Sequence, residues 1–230
     1  REMFCVETGR LVGTDAESIQ LRVLAHYLRN DDYVHAIVSG KKEDRTDIHN
    51  INLNSLSLDH LVRDDAKVFI YAWLLGAGVD KVSRILRCSR QQAKEAVNNF
   101  IEKTVGLKEL KTRRIRFDVR RGYFKGLDNR KVINNSEYLM LAGYLQNGEA
   151  VIMKHANLLW QQWAQEEKIQ FKQLNFVHDE WQTQVFGSLD AAQRMGELQC
   201  KSLEEIGKRL NLYCPLAGES KIGFNWLETH

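Results

Sequence analysis

Asp15 and Asp179 are the first residues of this 230-residue chain whose placement suggests chemistry. Each follows a short strand-forming stretch, Leu11 to Thr14 before the first and Phe171 to Val177 before the second. Brought together in space, two carboxylates would bind hard divalent cations. Mg²⁺ prefers oxygen ligands, keeps several waters, and completes its shell with substrate phosphates. Acids at strand ends are also ordinary caps or surface groups, so position alone leaves both readings open. A second set lies between them in the chain. Arg63, Lys67 and Tyr71 stand at i, i+4 and i+8 and share one helix face. Val68, Phe69, Ala72 and Trp73 fall on other sides, where they can pack. The Arg/Lys face suits a triphosphate, with Arg as a fork on phosphate oxygens and Lys as a point charge. An amphipathic helix with a solvated basic edge has the same pattern.

The elements that must position these residues follow from periodicity. Leu11 to Asp15 reads as a strand leading into a helix over Ser18 to Leu28, whose Leu21, Leu24, Ala25 and Leu28 form one stripe. His60 to Leu75 reads as a helix with Asp59 as N-cap and Gly76-Ala77-Gly78 as its stop. Helices are expected near Lys81 to Leu86 and Arg90 to Thr104, and a long one from about Ser136 to Glu166. Phe171 to Val177 and Trp181 to Phe186 flank His178-Asp179-Glu180, the pattern of a hairpin that presents acids at its turn. Lys201 to Leu210 reads as a late helix, and Gly218 to His230 as loop.

Composition sets the outer bounds. With 43% hydrophobic residues the chain can bury a real core as one large domain or two modest ones. It contains neither a long apolar run nor a basic-then-apolar leader, so the expectation is a cytoplasmic protein with no membrane partner. Cys5, Cys88, Cys200 and Cys214 lack the close pairing of a zinc site or a small disulfide framework and read as reduced thiols. The net charge of +3 is near balance, but Lys108, Lys111, Arg113, Arg114, Arg116, Arg120 and Arg121 crowd one segment. Such a run can track a phosphate backbone or form a solvated face.

Three motifs turn these options into a resemblance. Asp15-Ala16-Glu17-Ser18-Ile19-Gln20-Leu21-Arg22-Val23-Leu24-Ala25-His26 resembles the first palm motif of family A (Pol I-type) DNA polymerases. Arg63-Asp64-Asp65-Ala66-Lys67-Val68-Phe69-Ile70-Tyr71, followed by Gly76-Ala77-Gly78, resembles their fingers helix. Val177-His178-Asp179-Glu180 resembles their third motif. Gly126-Leu127-Asp128-Asn129-Arg130-Lys131 and Lys221-Ile222-Gly223-Phe224-Asn225-Trp226 extend the likeness in the bacteriophage-type branch.

The resemblance implies an α+β, helix-dominant fold: a palm with a small antiparallel sheet backed by helices, and an inserted helical fingers subdomain. Residues 1–28 and 141–230 would form the palm and 29–140 the fingers. It implies template-directed DNA synthesis with two Mg²⁺ ions, deoxynucleoside triphosphates and primer-template DNA. Asp15, Asp179 and the Ala16 carbonyl would hold the metals, with Glu180 as an accessory acid. Arg63, Lys67 and His49 would hold the triphosphate, and Lys67 would also protonate the leaving pyrophosphate. Tyr71 would pack near the incoming sugar and favour acceptance of dideoxynucleotides. His178 would touch the primer terminus, Gln146 the minor groove of the terminal base pair, and Arg130 the DNA.

The sequence departs from the family pattern in several places. Gln20 replaces a glutamate that blocks a ribose 2′-hydroxyl, keeping bulk and losing charge. Leu75 replaces a tyrosine that stacks by the templating base. Ala142 replaces an asparagine one turn before Gln146. The chain starts shortly before the first motif, so the thumb is expected from a missing segment or a separate thumb- or exonuclease-bearing polypeptide. A catalytically silent nucleic-acid-binding or regulatory subunit that kept the fold is the alternative; the retention of Asp15, Asp179, Arg63 and Lys67 together argues against it.

Overall fold

Strand β1 (Arg10–Ala16) is buried at Leu11, Val12, Gly13 and Thr14 and opens to solvent at Asp15. Burial of consecutive residues marks a strand covered on both faces. A computed structural model of the chain describes residues 1–134 and 136–230, with Tyr138 as backbone only. The chain divides into two units, residues 1–20 with 148–230, and residues 21–147.

The first unit is built on a four-stranded sheet of order β4-β5-β1-β6, with β4 at Gln170–Val177, β5 at Glu180–Phe186 and β6 at Gly218–Gly223. All its neighbouring strands are antiparallel. Helix α10 (Leu189–Arg209) packs on β1, β5 and β6. Its Gly196 is required by that approach, because a Cβ there would press on the Ser220 side chain at under 3 Å. Gln199, fully buried on α10, accepts from Thr14 Oγ1 (2.6 Å) and donates to Thr183 Oγ1 (2.9 Å), tying the helix to β1 and β5 through a satisfied polar bridge. The long helix α9 (Glu137–Glu166) runs from one unit into the other. Its C-terminal half lays Trp160 against Phe171 and Trp181, with ring centroids 5.3 and 5.9 Å apart.

The second unit is helical. It contains most of α1 (Ile19–Leu28), then α2 (Asp31–Val38), α3 (Ile48–Leu56), α4 (Arg63–Leu74), α5 (Val79–Ile85) and α6 (Arg90–Lys103). Beyond these lie α7 (Leu107–Glu109), a π-helical turn over Leu110–Ile115, α8 (Arg116–Arg121) and a β2–β3 ribbon (Tyr123–Lys125 and Lys131–Ile133). Phe100 meets Phe69 and Trp73 edge-on, with ring centroids 5.5 and 5.2 Å away. The architecture is α+β and helix-dominant, with a small antiparallel sheet.

Several boundaries differ from the sequence expectation. Helix α4 starts at Arg63, capped by the Asp65 carboxylate accepting from Val62 N at 3.0 Å, so Asp59 is not its cap. Val68, expected to pack, is exposed, while Phe69 is fully buried. The late helix begins at Leu189, where Ser188 accepts from Ala191 N, well before Lys201. Gly218–Gly223, expected as loop, is an edge strand paired to β1. The basic segment folds as α7, the π turn and α8, and much of its charge is matched inside the unit. Lys108 pairs with Glu102 (2.6 Å) and Arg121 with buried Asp118 (2.5 Å), while Arg114 stacks over Tyr27 at 4.8 Å. Arg113 and Arg120 remain exposed.

Candidate functional site

The antiparallel register of β1 and β5 sets Asp15 opposite Glu180, and Ala16 N donates to the Asp179 carbonyl at 2.9 Å. Two residues, His178 and Asp179, turn the chain between Val177 and Glu180, with His178 in the left-handed region at φ 53° as a tight hairpin demands. Strand pairing and a short turn therefore bring the two distant aspartates together, with Ala16 and His178 beside them.

Their electrostatics are those of a pair short of positive charge. Burial pushes the Asp15 carboxyl up to about 6, and the neighbouring Asp179 and Glu180 add to the rise against a smaller pull from His230. Asp15 is open to solvent on one side, but protein and two acids crowd the other. The Asp179 carboxyl is also raised, by burial first, although His178 and His230 oppose it. No cluster of three or more His, Cys, Asp or Glu in metal-holding arrangement occurs among the described residues. Two acids short of counter-charge do not make a closed cage of protein ligands, but they fit Mg²⁺, which needs one or two carboxylates plus phosphate oxygens.

Glu180, expected as an accessory acid, has both carboxylate oxygens engaged by neighbouring side chains. It is buried and committed to the protein: Oε1 accepts from Gln182 Nε2 at 2.5 Å and Trp226 Nε1 at 2.6 Å, and Oε2 faces His230 Nδ1 at 3.0 Å. Trp226, which closes the Lys221–Trp226 motif, and His230, which no local sequence signal marks, thus border the carboxylates. Glu149 on α9 is a further acid that sequence reasoning missed. It is buried and accepts from Gln20 Nε2 at 3.0 Å. Burial raises its carboxyl; Gln20 opposes the rise, and Asp179 adds to it.

The second unit assembles His49, Arg63, Lys67 and Tyr71. Asp47 caps α3, accepting from Asn50 N at 2.9 Å, and places buried His49 in the first helical turn. Arg63 Nε donates to Asp47 Oδ2 at 2.6 Å and its Nη2 pairs with the same oxygen. Burial opposes it, yet the hydrogen bonds from Arg63 and Asn50 hold the Asp47 carboxyl below its ordinary value. His49 is pushed down to about 4 by burial first and then by Arg63, so it is neutral near pH 7. Its Nδ1 is buried without a hydrogen-bond partner. Tyr71 lies beside it, ring centroids 6.1 Å apart, and Lys67 is exposed on the same helix. A helix N-terminus, two cations and an unmatched imidazole nitrogen make an anion-binding arrangement.

The remaining expected site residues belong to the second unit. Gln146 is exposed on α9. Arg130 is exposed at the β2–β3 turn, where its side chain pairs with Asp128. Leu75 is exposed at the end of α4, and Ala142 is buried. A cleft of about 390 Å³ near that end of α4 is lined by Trp73, Gly76, Ala77, Lys111 and Glu137, away from Arg63 and Lys67. No helix among the described residues is long and apolar enough to cross a membrane.

Comparison with known proteins gives a consistent outcome. DNA-directed DNA polymerases of Enterobacteria phage T3 and Escherichia phage T7 are each 29% identical over 95% of this chain and 33% of their own length. That of Escherichia phage Phieco32 is 28% identical over 95% of this chain and 40% of its own. The chain thus spans between a third and two fifths of the length of these phage relatives. Among solved structures, the polymerase domain of Pol1 from M. smegmatis, in complex with DNA primer-template and dNTP, superposes with a TM-score of 0.82. That likeness covers 98% of this chain and 41% of the other at 19% identity, and shows a shared palm-and-fingers fold. The family model for DNA polymerase family A matches residues 1–228, and the chain belongs to that family.

Proposed function

We propose that this chain carries the catalytic part of a template-directed DNA polymerase that adds deoxynucleotides to a primer 3′ end. The observation that carries the proposal is the meeting of Asp15 and Asp179 through the β1–β5 register and the His178–Asp179 turn. Family membership supports it, as do the phage relatives named DNA-directed DNA polymerase.

Asp15 and Asp179, with the Ala16 carbonyl, would hold two Mg²⁺ ions. When bound, such ions neutralise phosphate charge and lower the pKa of the attacking hydroxyl. The carboxylates themselves remain ionised and fixed, so they need no reorganisation during in-line attack. Arg63 grips phosphate oxygens as a fork held steady by Asp47. Lys67 supplies a mobile point charge and a proton for the departing pyrophosphate. His49, neutral in the free protein, contributes a ring N–H and gains a proton more readily once phosphate lies beside it. Tyr71 bounds the space for the sugar, His178 meets the primer terminus, and Gln146 and Arg130 contact DNA.

Primer extension with Mg²⁺ and deoxynucleoside triphosphates tests the proposal, using the intact protein and its Asp179→Ala variant. Extension by the wild type and loss by about a thousandfold or more in the variant is expected, the scale of removing a principal transition-state contact. An intact protein that extends no primer, or a variant that extends equally well, returns the chain to the silent, binding-only alternative.

A further inference from the structure

The contact between Gln20 and Glu149 has no part in the chemistry above. Gln20 is the second residue of α1, shortly after the Asp15-Ala16 end of β1, and Glu149 comes from α9. Glu149 also feels the charges of Asp179 and His178, so the pair borders the carboxylate cluster. Their geometry is directional. A carboxylate only accepts, so the Gln20 amide must turn its nitrogen toward Glu149 and its oxygen away. That oxygen, Oε1, is buried without a hydrogen-bond partner. A glutamine in the open would leave its amide free to rotate, and a rotating side chain is a poor steric barrier. Here the barrier is pinned at the nitrogen by a buried acid.

We infer that Glu149 is a positioning residue for sugar selection: by fixing the Gln20 amide it makes that side chain a rigid obstacle to a ribose 2′-hydroxyl. The inference rests on the polymerase reading. Charge absent from Gln20 itself is thereby supplied by the adjoining helix, where it acts on the gate through one charge-assisted hydrogen bond.

The experiment is single-nucleotide addition by the intact protein, comparing kcat/KM for dATP and ATP in wild type, Glu149→Ala and Glu149→Gln. Glu149→Ala should lose about tenfold of the preference for dATP, the scale of one hydrogen bond to a charged group. Glu149→Gln should keep most of the preference, since its amide oxygen accepts the same bond. Glu149→Met, similar in length and without a strong acceptor, replaces the alanine variant if a cavity unfolds the protein. Adding Glu149→Ala to Gln20→Ala should change the ratio no further, which distinguishes action through Gln20 from general loosening. Equilibrium affinity for dATP and ATP on a dideoxy-terminated primer-template should shift in the same sense. A ratio unmoved in Glu149→Ala overturns the inference. So does a ratio that rises, which would mean Oε1 accepts the 2′-hydroxyl instead of excluding it. A wild type that does not add dATP fails the polymerase reading itself and takes this inference with it, whereas addition with an unmoved ratio sinks the role of Glu149 alone.

Discussion

Replacing Asp15 by asparagine should stabilise the metal-free protein at alkaline pH while abolishing its chemistry. The Asp15 carboxyl, ordinarily at 3.8, rises to about 6 in the folded chain, through burial and the charges of Asp179 and Glu180. The folded state therefore keeps its proton to higher pH than the unfolded state does. The resulting penalty is absent below about pH 4, grows between about 4 and 6, and is complete above. At roughly 1.4 kcal/mol per pKa unit the ceiling is about 3 kcal/mol. Because the Asp15 side chain is open to solvent, screening cuts this to about 1 kcal/mol. For a chain of this size that corresponds to a Tm higher by roughly 2–4 °C in Asp15→Asn. Thermal melts of both proteins in EDTA at pH 8 and pH 4.5 measure it. The variant's advantage should be present at pH 8 and largely gone at pH 4.5. Added Mg²⁺ at pH 8 should raise the wild-type Tm more than the variant's. A variant that melts at or below the wild type at pH 8, or with equal advantage at both pH values, refutes the electrostatic account of the pair.

Other expectations follow from the same structure. Arg63→Ala should raise KM for the incoming nucleotide by more than tenfold, roughly 1.5–3 kcal/mol for a lost charged contact. It also strands the Asp47 carboxylate that Arg63 pairs, so adding Asp47→Asn should recover part of the loss in steady-state kinetics. His49, held at about 4 in the free protein, should titrate at higher pH once inorganic triphosphate binds, and NMR of its ring protons reports this; no movement would remove it from the anion site. Gln199→Ala strands the hydroxyls of Thr14 and Thr183 and leaves a cavity, so urea unfolding should show a loss of about 2–4 kcal/mol. A loss well under 1 kcal/mol would mean that the polar bridge contributes little.

What the sequence disclosed, and what it hid, divides along a physical line. The β4–β5 hairpin and the start of α1 are local: alternating β-formers, a two-residue turn and a helical stripe all lie within a few residues of one another. Strand β6 is not local. Gly218-Glu219-Ser220-Lys221 lacks strand formers and becomes a strand because β1 offers it an edge. The early start of α10 had a signal in Ser188, three residues before Ala191, but its polar outer face masked the stripe. Among site residues, Arg63, Lys67 and Tyr71 share one helix face and could be grouped early, whereas His49 came only from the family resemblance. Glu149 and His230 could not be grouped, because each matters through a contact made across the fold. Glu149 in particular looks like one more polar position on a long helix until Gln20 is seen against it.

The two clusters share a trait that the sequence motifs did not reveal. Each gathers like groups that a stable fold alone would have separated or neutralised. Burial and then the Asp179 charge raise the Asp15 carboxyl, and burial with the charges of Arg63 and Lys67 holds His49 neutral with a nitrogen unmatched. Stability favours the opposite choices, as Arg121 with Asp118 and Gln199 with its two threonines show elsewhere in the chain. Strain of this electrostatic kind persists where a ligand relieves it. A cation relieves the carboxylates, and an anion relieves the imidazole and its cations.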